Sequence, residues 1–247
     1  MRFEKTEVMN FEGALRGMRN PMNSWDKSDS SYCITSINES TSHCNTCPVS
    51  KGCTGSQRDI EARYIIGKND IKLAQQLIRA GSEHRKFMRQ IFVSVDITAP
   101  LFWWKEFDTY KIGTVRNSCS TMHKIHVKSF EKDDFTHIGI DEVGDITQKT
   151  LGTVLETLEY CRNKFNNTKE KKYWRAIIEL LPDGYNMRAT ITFDYENLLS
   201  MCSKGQRRFH KQNEWSGVDY PNEENFISWA RTLPYAQELI FIDEVEE

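Results

Sequence analysis

The sequence predicts an α+β fold: one domain over residues 1–247, a mixed sheet with packed helices, and a Cys-rich insertion at about 22–60. Three observations point there. Segments of helical and of strand periodicity are interspersed without the strict strand–helix–strand recurrence of a parallel α/β sheet. Neither GxGxxG nor GxxxxGK(S/T) occurs, so the Gly-rich phosphate loops of those folds are missing. Residues 22–60 differ in kind, being rich in Ser, Thr, Asn, Asp and Lys, with little periodicity and most of the Cys, which reads as a long loop or insertion.

Taken in order, residues 2–9 read as a first strand. Residues 10–19 read as a short helix capped by Asn10 and ended by Asn20-Pro21. After the insertion, Tyr64–Gly67 resumes regular structure. Asn69 or Asp70 can cap a helix over Ile71–Arg79, whose Leu73, Leu77 and Ile78 share a face and which Gly81 closes. The alternating run Ile91–Ile97 predicts a strand, and Pro100 stands where a helix begins, since its missing N–H costs nothing there. Trp103, Phe107 and Tyr110 then fall near one helical face, a spacing more often core than ligand contact. Residues 124–130 look strand-like or extended, and 131–135 a charged turn. Asp145–Phe165 keeps Leu151, Val154, Leu155, Leu158 and Cys161 on a helical period. Asn166–Lys172 reads as a solvated linker, Tyr173–Leu181 as an amphipathic helix stopped before Pro182. Arg188–Phe193 alternates as a strand, Asp194 caps a helix to about Met201, and Glu223–Thr232 is a last helix ended by Pro234.

Charge and composition exclude several classes. A net charge of −2 argues against a general nucleic-acid binder, which would be clearly basic. No apolar run approaches the roughly 18 residues of a membrane span. The charged start, MRFEKTEVMNFEG, lacks the apolar centre of a signal peptide, so a cytoplasmic protein is expected. In that compartment seven Cys do not read as a disulfide framework. Cys33, Cys44, Cys47 and Cys53 instead supply the four thiolates that a structural zinc takes, or an iron–sulfur cluster in its place. Either would order an otherwise structureless loop.

Three further groups are candidates on chemistry. Asn117, Ser118 and Ser120 offer small donors suited to a phosphate or a base edge, or form an ordinary turn. Lys111 and Arg116 place cations among aromatic residues. Arg207, Arg208, His210 and Lys211 form the densest basic cluster, which reads equally as a phosphate clamp or a solvated face.

The order of these signals resembles the flavin-dependent thymidylate synthase family over about residues 64–215. Ser82-Glu83-His84 matches that family's Ser/Glu-His element before a strand, and Ala99-Pro100 the start of its long signature. Thr109-Tyr110-Lys111 falls where the family has Arg-His-Arg, Asn117–Ser120 covers its Asn-Glu-x-Ser, and Met122-His123 lies where Arg-Tyr would be. Leu181-Pro182 matches a Leu-Pro, and Arg207 or Arg208 with Gln212 and Glu214 an Arg…Gln-x-Glu.

The resemblance implies a homotetramer that binds FAD and methylates dUMP, or a similar pyrimidine nucleotide, at C5. Methylenetetrahydrofolate is the implied one-carbon donor and NADPH the reductant. No enzyme nucleophile is implied, because the hard chemistry belongs to the cofactor. Carried over residue by residue, it implies cofactor contacts from Ser82, Glu83, His84, Tyr110, Lys111, Asn117 and Gln212. Substrate contacts would come from Ser118, Ser120, Arg207 and Arg208, with Lys111 and Ser120 nearest the chemistry; Arg116, a cation among aromatic residues, and Arg188, beside the Leu-Pro turn, join the substrate set on their own chemistry. Two other functions fit the chain: a non-catalytic nucleotide- or flavin-binding descendant, and a metal-stabilised interaction protein.

Overall fold

The computed structural model describes residues 1–32, 64–207, 210–221 and 224–244. β1 (Arg2–Met9) leads into α1 (Phe11–Arg19), which buries Phe11, Ala14, Leu15 and Met18 on one face. Asn10 precedes α1 in a left-handed conformation, but its side chain caps nothing; its amide donates to the Gln90 carbonyl at 2.9 Å. The short strands β2 (Ser31–Tyr32) and β3 (Tyr64–Ile65) pair antiparallel, Tyr32 opposite Tyr64. β2 falls within the predicted insertion at about 22–60, of which residues 33–60 lie outside the described residues.

α2 (Lys68–Arg79) begins three residues earlier than predicted. Neither Asn69 nor Asp70 caps it. Gly67 occupies the cap, and the carboxylate of Asp29 accepts from the backbone N–H groups of Asn69 and Asp70 at 2.9 and 3.1 Å. Asp70 is instead fully buried against Arg19.

β4 (Phe92–Pro100) alternates as predicted: Val93, Val95, Ile97 and Ala99 are all fully buried. It runs on to Pro100, which is the cap of α3 (Leu101–Phe107) rather than its first residue. Trp103, Trp104 and Phe107 of α3 are buried together, the Trp103 ring stacked on Phe107 at 5.2 Å. Since α3 stops at Phe107, Tyr110 is not on its face. β5 (Val115–Ser118) follows. The predicted strand at 124–130 does not form: turns run through Lys124–Lys128, and Ile125 and Phe130 reach a cluster with Phe135, Leu158, Cys161 and Ile177.

α4 (Ile138–Val143) was not predicted. α5 runs Asp145–Thr168, and the predicted linker shrinks to Lys169, left-handed, and Glu170 before α6 (Lys171–Leu180). β6 (Asn186–Asp194) has the period-2 burial of a strand with one buried face. α7 (Tyr195–Cys202) is capped by Asp194, which exchanges capping-box hydrogen bonds with Asn197. The short helices α8 (Lys204–Arg207), α9 (Asn213–Ser216), α10 (Phe226–Ala230) and α11 (Ala236–Leu239) complete the chain. Asn225 caps α10, the predicted last helix, with a second capping box.

The principal sheet has the order β1-β4-β6-β5. The chain divides into two compact units. The first comprises Met1–Glu4, Asp96–Thr109 and Arg116–Thr190, the second Lys5–Val95, Tyr110–Val115 and Ile191–Glu247. In the second, Phe11 meets Tyr195 and Tyr235 edge-on, each at 5.6 Å. Among the described residues no helix is long and apolar enough to cross a membrane.

Candidate functional site

In the first unit a cavity of about 480 Å³ opens beside the segment Cys119–Thr121 and the start of β6. Its size is in the range of small-molecule sites. Arg2, Lys124, Lys128 and Arg188 bring four cations to the wall, against the single carboxylate of Asp134. Ser120, Thr121 and Ser129 add hydroxyls, and Ile125, Phe130, Tyr185 and Met187 an apolar part. Burial, with the nearby Asp134 carboxylate, raises the Tyr185 phenol above its ordinary range, so it is a neutral hydroxyl at pH 7.

Local structure places these groups. The Cys119 N–H donates to the Arg188 carbonyl at 2.9 Å, tying the Ser-rich segment to β6. The Ser120 hydroxyl accepts from the His123 N–H at 2.9 Å, and the Lys124 N–H reaches the Ser120 carbonyl at 3.3 Å. A tight turn thus carries Ser120 and Lys124 on one wall. Arg188 donates to Asp96 of β4 at 2.6 Å and lies 3.4 Å from Glu4 of β1, while Thr190 also donates to Asp96. The Asp96 hydrogen bond, ahead of the Glu4 charge, holds the Arg188 pKa above its usual value.

Of the predicted substrate residues, Ser120 and Arg188 line this cavity. Asn117 and Ser118 are exposed just before it, at the end of β5. Arg116 belongs to the same unit, but its charge is engaged: it meets Asp108 at 3.0 Å and sits 5.2 Å over the Trp104 ring. The backbone of Arg207 ends α8. Arg208 and all four predicted metal ligands, Cys33, Cys44, Cys47 and Cys53, lie outside the described residues. Sequence reasoning missed Arg2, Lys124, Lys128 and Tyr185. The one available signal was the spacing Ser120, Lys124, Lys128, obscured by reading 124–130 as extended.

The other predicted cofactor residues lie in the second unit. Ser82, Glu83 and His84 form an exposed turn, pinned by N–H bonds from His84 and Arg85 to the Gly81 carbonyl. Glu83 pairs with Lys86 at 3.1 Å. Just beyond, Arg85 and Arg89 both bind Glu196; burial raises the Glu196 pKa, but these guanidinium hydrogen bonds prevail and hold it low.

Lys111 stands on the loop Tyr110–Val115. The Asn197 amide donates to the Ile112 carbonyl at 2.8 Å, and Gly113 adopts φ +78° within reach of Asn197 and Asp194. The loop is therefore docked on the N-terminus of α7. Lys111 is exposed, with no ionic partner among the described residues.

Tyr110, at the start of this loop, is engaged inside the second unit. Its hydroxyl lies 3.1 Å from His210 Nε2, and His210 stacks on Trp215 at 4.3 Å and 8°. Gln212, two residues after His210, keeps a buried side-chain oxygen that finds no donor among the described residues.

No family model and no curated protein matches the sequence. In structure, however, the chain is similar to the flavin-dependent thymidylate synthase ThyX of Helicobacter pylori, crystallised with FAD and dUMP. One such structure gives a TM-score of 0.58 at 12% identity, covering 98% of this chain and 99% of that one. A second, also holding FAD and dUMP, gives 0.57 at 12% identity over 98% and 97%. A similarity at this identity establishes the fold. The chain has a thymidylate-synthase-X-like fold.

Proposed function

We propose that this chain is a flavin-dependent thymidylate-synthase-like enzyme, carrying out reductive methylation, or a related alkylation, at C5 of dUMP or a similar pyrimidine nucleotide. One observation carries the reading: nearly the whole chain and nearly the whole of a protein solved with FAD and dUMP share one fold. FAD is the proposed cofactor, with NADPH, methylenetetrahydrofolate and a homotetrameric assembly belonging to the same proposal.

The residues present suit both ligands. An anionic nucleotide is matched by the cationic, hydroxyl-bearing wall around Ser120 and Arg188, with Asn117 and Ser118 beside it. FAD asks for polar and cationic groups without internal partners. Lys111 and the Gln212 side-chain oxygen qualify, and Ser82 and His84 of the exposed turn stand beside Glu83, which Lys86 already engages. When bound, the flavin supplies the hydride. Protein groups bind, orient and stabilise charge.

Arg188 is held in place on the wall by Asp96 and Glu4, which limits the side-chain ordering that binding requires. Ser120 accepts from a backbone N–H, leaving its own O–H to donate. Lys111 supplies a point charge for the flavin phosphates; it lacks the bidentate fork of an Arg at that position. Arg207 and Arg208 complete the proposed substrate set.

The test is thymidylate formation from dUMP by purified protein under anaerobic conditions with FAD, NADPH and methylenetetrahydrofolate. Product whose formation requires FAD is expected. Failure to form C5-alkylated nucleotide, with both ligands bound, would instead mark a non-catalytic binding descendant. That second reading is favoured by Thr109-Tyr110-Lys111 in place of Arg-His-Arg and by the engagement of Tyr110 with His210.

A further inference from the structure

We infer that Arg2 and Lys124, both on the wall of the first unit's cavity, hold the phosphate of the nucleotide proposed above. The inference rests on the nucleotide-binding reading above and adds to it two residues outside every motif compared there.

The four cations on the wall differ in what already binds them. Lys128 is paired with Asp134 at 2.7 Å. Arg188 is paired with Asp96 at 2.6 Å and lies near Glu4 at 3.4 Å. Arg2 and Lys124 line the same cavity and have no carboxylate partner among the described residues. Two unneutralised cations on one concave wall attract an anion, and a phosphate monoester carries close to two negative charges at pH 7.

The remaining wall supports the same ligand. Thr121 and Ser129 add hydroxyls beside Lys124, and Ser120 shares a turn with it. The apolar part, with Phe130 and Tyr185, suits a planar base joined to that phosphate. The position the family fills with Arg is Met122 here, exposed and uncharged. Lys124, two residues on, returns a cation to the same segment, and Arg2 brings a guanidinium from β1.

Calorimetric titration with dUMP, deoxyuridine and inorganic phosphate tests this, comparing the natural chain with Arg2→Gln, Lys124→Gln, the double variant and Lys124→Arg. Both residues are exposed, and unchanged circular dichroism and melting verify that each variant folds. The natural chain is expected to bind dUMP at least about tenfold tighter than deoxyuridine, with inorganic phosphate competing. Each Gln variant should lose about tenfold in dUMP affinity, the scale of one charge-assisted contact, with deoxyuridine binding unchanged. Lys124→Arg should retain dUMP affinity.

Equal affinity for dUMP and deoxyuridine, or a double variant that binds dUMP as the natural chain does, overturns the inference. FAD binding, read by absorbance on the same samples, separates the two claims. Bound FAD with dUMP affinity indifferent to Arg2 and Lys124 removes the clamp and leaves the flavoenzyme. Phosphate-dependent dUMP binding without FAD leaves the clamp and removes the flavin chemistry.

Discussion

Asp70 carries more of the second unit's stability than its place near a helix start suggests. Its carboxylate is fully buried; it accepts from Arg19 Nε at 2.6 Å and from the hydroxyls of Ser28 and Ser30 at 2.6 and 2.5 Å. Arg19 in turn donates to the carbonyls of Ser24 and Lys27. Asp70→Ala would leave a buried guanidinium unpaired, and a loss of about 3–5 kcal/mol in urea unfolding is expected. Burial raises the Asp70 pKa, but the Ser28, Ser30 and Arg19 hydrogen bonds outweigh it and hold the pKa below 3.8. The folded state then binds fewer protons than the unfolded one. The stabilisation is present above pH about 4 and is lost as pH falls through the lowered folded value. Glu196, also held low, acts in the same direction. Asp194, raised by burial, acts in the opposite one. An acid limb that is the same in Asp70→Asn as in the natural chain would contradict this account. Nothing local in the sequence distinguishes Asp70 from a helix cap, because its partner lies 51 residues away.

At the scale of elements, the turn from β6 into α7 was legible and the loop it holds was not. Alternation through Arg188–Phe193 and Asp194 as a cap are local signals, and both the strand and the capping box form. The capping box also sets the Lys111 loop, since Asn197 donates to both the Asp194 cap and Ile112, through different atoms. Asp194→Ala should cost about 1 kcal/mol, the usual worth of such a cap, with faster amide exchange at Ile112 and Gly113. Wild-type exchange in that loop would show that it does not depend on α7. Residues 124–130 misled because Ile125 and Phe130 reach the core from turns, where no periodicity marks burial. The same aperiodic turns carry Lys124 and Lys128 to the cavity, so the site's least legible cations sit in its least regular segment.

For the whole molecule, the α+β class and the order of the main elements were readable in sequence, and the fold similarity to the Helicobacter pylori enzyme agrees with the resemblance drawn from motif order. What the motifs left open is chemistry. At 12% identity, Thr109-Tyr110-Lys111 replaces the signature on which a prediction of activity would rest. Ser120 and Arg188 were found because each matches a motif or an alternating strand, and they meet at one cavity. Arg2, far away in sequence and in no motif, could be found only from the fold. The central claim is that this fold still holds a flavin and a nucleotide. It is tested most directly by adding FAD to purified protein and recording the visible spectrum before and after dUMP. The account predicts retained flavin absorbance at about one FAD per chain and a dUMP-dependent shift of the flavin bands. Protein that remains colourless after incubation with FAD would contradict it.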